Sequence, residues 1–282
     1  MTRERDSDSA TPPVSDAPAA DLHVHTTASD GVLTVPELPD AARAGGIDVV
    51  AVTDHDRVHP DLDAPVQTLD GVTIVRGIEL RVDAGEQRLD LLGYGLEATD
   101  SIQEMTTRIQ ENRKERGAEI VDRVEERLDV ELDIELTDGI GRPNIARAIE
   151  ASDAPYDFNS AFDELIGTGR PCYVERYVPS FSEGMDVLGE SCAVVALAHP
   201  FRSSDPAAAL DRARDLDAVE LFYPYSGASA EAEDRALVEA VADDAGLLLT
   251  GGSDAHDRIL GRTGPTQTAF DPIASRLPSV RY

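Results

Sequence analysis

The chain has 282 residues, with 25 basic against 55 acidic side chains and a formal net charge of -30, which argues against bulk nucleic acid or an acidic membrane surface as partner. Its length suits one or two domains, and since single α/β barrels run to ~250 residues, one core plus an insertion fits. Hydrophobic residues make up 41%, enough for a core, but the longest apolar run, Ala193 to Ala198, is far shorter than the ~20 residues of a membrane span.

Residues 1–20 (MTRERDSDSATPPVSDAPAA) are polar and proline-rich with no hydrophobic stretch, so they cannot offset their ordering entropy and lack a signal peptide's apolar region. A disordered acidic tail is predicted there, and one barrel domain over residues 21–282. Buried strands are predicted at Leu22–His25, Ile47–Thr53, Val72–Ile78 and Leu89–Tyr94, with a helix over Pro36–Ala44. The rhythm then breaks into a helical insertion at about 98–166, with a long charged helix over Ser101–Leu128 and shorter ones around Asn144–Ala151 and Ser160–Ile166. Gly139, Gly141 and Pro143 mark the turn that opens the second of these. Strands resume at Val194–Ala198, Ala218–Phe222 and Leu247–Thr250, with helices over Pro206–Asp215 and Ala230–Ala245. This alternation belongs to an α/β fold with a parallel sheet. Cys172 and Cys192 lack any paired-cysteine spacing and read as reduced core thiols, which, with no secretory segment, predicts a cytoplasmic protein.

His23 and His25 stand two apart at a strand end, so the period-2 pleat turns both imidazoles to one side, where they can grip an ion or simply hydrogen-bond. Asp30 follows in SDG, as a ligand or a turn aspartate. His55 follows the most apolar run (VVAVTDHD), Glu79 ends the next (VRGIE), His199 a third (VVALAHP), and Asp254 with His256 follows a fourth (LLLTGGSDAH). Any one of them could cap a helix or satisfy a loop. Together, five of the six histidines lie at strand ends, where a barrel mouth carries its chemistry. Imidazole and carboxylate without thiolate suit Zn, Mn, Fe or Co better than Ca or Mg, and this many candidates exceeds the needs of one tetrahedral ion. Glu79 can bridge two ions ~3.5–4 Å apart, an arrangement that stabilises hydroxide near neutral pH and clamps phosphoryl oxygens.

In order along the chain, HVHTTASDG, AVTDHD, GIE, LAHP and GGSDAH resemble the motifs of the PHP (polymerase and histidinol phosphatase) family. The resemblance covers about Asp21 to His256 and implies a distorted seven-stranded β/α barrel with a di- or trinuclear site at the carboxyl ends of the strands. Carried over by motif, it implies that His23, His25, Glu79 and Asp254 hold one metal, that Asp30, His55 and His256 hold a second, and that Glu79 and His199 help hold a third. One departure concerns that third site. Family members often place a histidine in a strand written HILG, whereas LDLLGYG puts Asp90 there. Asp90 is then either a charged oxygen ligand, with the third site altered or absent, or a polar residue within a strand.

The insertion's RKER and GRPNIARAI, followed by GRPCYV, is similar to the stand-alone family members that hydrolyse nucleoside 3′,5′-bisphosphates and trim short RNA from its 5′ end. Those members often read GRPHIARA, so Asn144 departs from the usual histidine. The guanidinium fork of Arg113, Arg116 and Arg142 matches phosphate, and the resemblance makes Arg116 and Arg142 the preferred pair, with Arg113 and Asn144 as further candidates. The alternative is a solvated, salt-bridged helix face. The implied activity is metal-dependent hydrolysis of a small phosphomonoester, with hydroxide generated on two or three divalent ions (Mn, Zn or Fe) and no protein nucleophile. Histidinol-phosphatase-like or other PHP hydrolysis, or a non-catalytic metal-binding module, are the rival readings. The expected partner is a small phosphorylated substrate of nucleotide type, with no stable long nucleic-acid complex and no membrane; nothing in the sequence sets the oligomeric state. His59 is given no role. Phe222, Tyr223 and Tyr225 either stack on a base or anchor their loop.

Lys114 is the only lysine, every other cation is arginine, and aspartate outnumbers glutamate, a composition that resembles proteins of salt-loving cytoplasms. High salt screens the self-repulsion of such a chain. Its melting temperature should therefore fall on dilution from molar KCl into low salt; an unchanged melting temperature contradicts this.

Overall fold

The computed structural model describes residues 17–225 and 230–279. Of the predicted tail, residues 1–16 lie outside the described residues, and Ala20 already opens the first strand. Strands β1 (Ala20–Val24), β2 (Val49–Val52), β4 (Val72–Asp83), β5 (Arg88–Tyr94), β6 (Val194–Leu197), β7 (Ala218–Phe222) and β8 (Leu248–Gly251) form one sheet in that order, with β3 (Val66–Leu69) paired to the side of β4. The sheet curls until its ends meet. Val24 pairs in parallel with Ala255 just beyond β8, His25 N donating to the Ala255 carbonyl at 3.0 Å. Helices α1 (Leu38–Gly45), α5 (Phe181–Ser191), α6 (Pro206–Ala213), α7 (Ala230–Ala245) and α8 (Gln267–Ala274) complete the distorted seven-stranded β/α barrel.

The sheet is mixed, which corrects the expectation of a parallel one. β5 runs antiparallel to both β4 and β6, because only the short Ala84–Gln87 turn separates it from β4 and no crossover helix fits there. Asp70–Gly71 makes a second hairpin, between β3 and β4, with both residues at positive φ (45° and 84°), as a two-residue turn of this type requires. The reversed β5 matters for the site. On one sheet face, Ala51, Val75, Leu92, Ala196 and Ala218 pack together. Two or four residues further along, the same face carries Thr53, Glu79, Asp90 and Glu220. Asp90 reaches the carboxyl end of the parallel strands because its own strand runs the other way.

The insertion holds α2 (Asp100–Leu128), α3 (Arg142–Ala151) and α4 (Phe158–Ser160), which runs on into a π-helical turn over Ala161–Ile166. α2 spans two cores. Its first half sends Ile102, Met105 and Ile109 against Leu80 and Leu91 of the barrel, while Ile120 and Val124 join Ile145, Ile149, Leu165 and Cys172 in a separate cluster. A left-handed Asp129 (φ 55°) ends the helix.

Asp21 ties the two ends of the sheet together. Fully buried, it accepts from Ser253 N (2.8 Å) and Gly261 N (2.9 Å), and at 3.4 Å from His23 N. Asp21→Ala leaves these amides without partners, and unfolding by denaturant of the metal-free chain should show a loss on the order of 3 kcal/mol; a loss within experimental error contradicts this role.

Candidate metal centre

The strand ends bring all eight histidines and carboxylates picked out by the motifs into one cluster. His25, Asp30, His55 and His256 each offer a ligand atom within 4.8 Å of the others. So do His23, His199 and Asp254; His23, His25 and Glu79; and Glu79, Asp90 and His199. The groups overlap through His23, His25, Glu79 and His199, and they differ in detail from the family pattern, since His25 sits with Asp30, His55 and His256 as well as with Glu79. As their spacing of two along the strand dictates, His23 and His25 face the same space, their ring centroids 5.1 Å apart. Gly252 permits the last segment to pass: a Cβ there would lie 2.2 Å from His23 N. His199 (φ 24°), Asp254 (φ 48°) and Asp56 (φ 54°) all adopt left-handed backbone, strain of ~1–3 kcal/mol per residue that is typical of functional sites.

The donor atoms fit divalent ions. His23 Nε2, both ring nitrogens of His25 and Glu79 Oε2 are buried without a hydrogen-bond partner, a costly state for polar atoms that a cation relieves. His55 Nδ1 lies 2.6 Å from Glu79 Oε2, which brings imidazole and carboxylate into direct charge contact. Burial opposes protonation of His23, yet the carboxylates of Glu220 and Glu79 outweigh it and raise its pKa well above the usual imidazole range. Against the same opposition from burial, Glu79 brings His55 up to about 9. His25 goes the other way, because burial and the neighbouring His55 charge outweigh the pull of the Asp254 carboxylate 3.1 Å away. Asp30 settles at about 2: burial favours its neutral form, but the His256 bond and nearby imidazoles prevail.

A set of groups that, Tyr223 apart, were not singled out from the sequence fixes these candidate ligands. Glu220, fully buried, binds His23 Nδ1 at 3.2 Å and accepts from His199 N at 2.7 Å, so His23 turns Nε2 toward the cluster. Asp254 Oδ2 accepts from Arg202 (2.9 Å) and Tyr223 (2.8 Å), leaving Oδ1 at 3.1 Å from His25 Nε2. Asp54 accepts from Thr26 N (2.8 Å), Thr26 Oγ1 (2.7 Å) and Ser29 Oγ (2.6 Å), which anchors the loop bearing Asp30. An acid within the apolar run AVELF was the one visible sign of Glu220.

The predicted substrate residues are held by the protein itself. Arg113 and Arg176 both donate to Asp56 Oδ2, the latter at 3.1 Å. Arg116 Nε donates to the Val174 carbonyl at 2.8 Å, and Arg142 to the Ile166 carbonyl at 3.4 Å with Phe162 and Tyr173 beside it. Burial, followed by the adjacent Arg142 charge, lowers Arg116 to about 10. Asn144 accepts from Gly141 N at 3.1 Å and serves as a helix-start residue. Asp90 is clasped by Arg81 on both oxygens (2.7 and 2.5 Å) and lies 3.8 Å from His199 Nε2. His59 accepts from Asp61 N at 3.1 Å, apart from the cluster.

Residues 21–158 match the family model described as PHP domain; His199, Asp254 and His256 lie beyond that match and join the cluster through the fold. A 3′,5′-nucleoside bisphosphate phosphatase from Chromobacterium violaceum is 26% identical over 246 residues, spanning 84% of this chain and 86% of that protein. A 5′-3′ exoribonuclease from Haemophilus influenzae is 27% identical over 190 residues, 64% of this chain and 69% of that protein. A solved structure from Bifidobacterium adolescentis, assigned as a metal-dependent phosphoesterase, superposes with a TM-score of 0.71 at 24% identity, covering 94% of this chain and 99% of that one. That superposition establishes the shared fold.

Because ligation requires neutral imidazole, the raised His23, His55 and His199 must give up protons as ions enter. Metal affinity of the metal-free chain should therefore rise with pH through neutrality and still be rising at about 9, the value for His55. Titration calorimetry in buffers of different ionisation enthalpy measures this; uptake without net proton release contradicts it.

Proposed function

We propose that this chain, which carries a PHP domain over residues 21–158, is a metal-dependent phosphoesterase acting on a small phosphomonoester, a nucleoside 3′,5′-bisphosphate or the 5′ end of a short RNA. One observation carries the reading: candidate ligand atoms from separate strand ends converge, and those of His23, His25 and Glu79 are buried with no hydrogen-bond partner in the protein. The similarity to a bisphosphate phosphatase and to an exoribonuclease supports the substrate class.

His23, His25, Asp30, His55, Glu79, His199, Asp254 and His256 would hold the ions, which we take to be Mn, Zn or Fe from the donor types. Bound there, such ions supply Lewis-acid activation of water and neutralise charge on a phosphoryl group. The rest is done by side chains. Glu220 fixes the tautomer of His23, and Arg202 with Tyr223 holds Asp254 so that one oxygen faces the imidazoles. Arg116 and Arg142, adjacent charges on the insertion, offer a cationic wall to a second phosphate. Beyond Tyr223, a cavity of ≈ 480 Å³ lined by Phe201, Phe222, Tyr223 and Tyr225 has the aromatic walls on which a nucleobase stacks. No side chain of the cluster is needed as a nucleophile.

Among the described residues no helix is long and apolar enough to cross a membrane. Together with the arginine-for-lysine, aspartate-rich composition, this supports our placing the enzyme in the cytoplasm of a high-salt cell, working on small substrates rather than long nucleic acid.

His55→Ala should lower turnover by orders of magnitude with the circular dichroism spectrum unchanged; near-normal turnover with metal retained refutes the assignment. Assayed with Mn, the wild-type chain should release phosphate fastest from 3′,5′-bisphosphoadenosine or a short 5′-phosphorylated RNA. Preference for histidinol phosphate would move it to another reaction on the same platform, and absence of all three activities in a metal-loaded sample would leave a binding module.

A further inference from the structure

The three ligand groups around Glu79 and His23 are not equivalent, and the difference lies in what the carboxylates already hold. Asp254 is bound by Arg202 and Tyr223 through Oδ2 alone, so Oδ1 still faces His23 and His25. Asp90 has no such free side. Arg81 Nε donates to its Oδ1 at 2.7 Å and Nη2 to its Oδ2 at 2.5 Å, the parallel two-bond fork that is the strongest form of this pair. Strand register enforces the contact, since Arg81 and Asp90 are directly opposed in the antiparallel β4–β5 pair and so project from the same face. Arg81 is further fixed by its own backbone, whose N–H donates to Asp56 Oδ1 at 3.0 Å.

We infer that the Arg81 guanidinium stands where a third cation would otherwise sit, so that the centre takes two ions rather than three. This rests on the metal-binding reading above. An ion recruited by Glu79, Asp90 and His199 would have to compete with Arg81 for Asp90, both of whose oxygens the fork already holds. It would also lie beside a guanidinium that cannot shed its proton to make room. His199 Nε2 is already 2.9 Å from Glu79 Oε1 but 3.8 Å from Asp90, so the remaining two groups close on each other. The substitution keeps a positive charge at this edge of the centre. The Arg81 side chain is 44% exposed and, with Arg88 and Arg202, lines a cavity of ≈ 210 Å³ against His199, where it can face an anionic oxygen of the substrate.

The test is the number of ions per chain, measured by inductively coupled plasma mass spectrometry after loading with excess Mn and desalting, with anomalous diffraction to locate them. Wild type should hold two. Arg81→Met, which keeps an unbranched stem but frees both Asp90 oxygens, should hold three, the new one between Glu79, Asp90 and His199. Asp90→Asn should stay at two, and this variant serves alone if Arg81→Met does not fold. Three ions in wild type falling to two in Asp90→Asn would overturn the inference while leaving the metal centre intact, and so would two ions in both wild type and a folded Arg81→Met. No bound ion in wild type would instead remove the metal-binding reading on which it depends.

Discussion

Charge compensation in a buried space is the constraint on which the structure depends. Glu79 and His23 are essentially inaccessible to water, and an ionised carboxylate in such a place is tolerated only when paired. Among the described residues its partners are imidazoles: His55, His23, His25 and His199 all approach within 3.5 Å. In the metal-free chain they compensate Glu79 by taking up protons, which is why most of them are shifted upward and Glu79 downward. Divalent ions would do the same work, exchanging for those protons and satisfying nitrogens that otherwise have no hydrogen-bond partner. The cluster is thus built to be filled by positive charge of one kind or the other.

Around it lies a second ring of acids, Asp21, Asp54, Asp56 and Glu220, all buried and none of them in a candidate ligand group. They act on backbone and on other side chains. Asp21 clamps the segment after β8 against β1, and Asp54 pins the loop before Asp30. Glu220 links β7 to the ends of β1 and β6, and Asp56 receives arginines from α2 and from the stretch after the π-helical turn. A site assembled from remote segments needs such crosslinks, because loose ligands lose both affinity and selectivity.

The candidate ligands were legible in the sequence because, Asp30 apart, each stands at the end of an apolar run that reads as a strand, where an abrupt change to His, Asp or Glu stands out. The insertion was legible from its change of period. The outer acids were not, since in sequence a carboxylate that binds an ion and one that accepts amide hydrogens look alike; Asp54, Asp56 and His55 sit side by side in TDHD with different duties. The arginine partners were equally hidden. Arg113 meets Asp56 and Arg202 meets Asp254 only through tertiary folding, and the Arg81–Asp90 pair follows from a register that requires the β4–β5 hairpin to be recognised first. The Asp70–Gly71 turn was a readable hairpin signal, but a run as short as Val66–Leu69 offers little alternation to set beside it.

The strongly acidic chain and an anionic substrate are reconciled by where the charges lie. Most acidic side chains are on the surface, where molar salt cuts their reach to ~3 Å. The arginines of the insertion and of the stretch after it are withdrawn from solvent: Arg116 is 8% exposed, and the Arg113 and Arg176 side chains 13% and 16%. Buried charges are screened much less than exposed ones. Raising salt therefore weakens the repulsion from the surface faster than it would weaken the attraction of these withdrawn cations for a phosphate, if they bind one as proposed. On this argument the acidity that keeps the surface hydrated does not oppose phosphate binding under the conditions that suit the fold, and it excludes long polyanions more than short ones, because a long strand must also cross the acidic exterior.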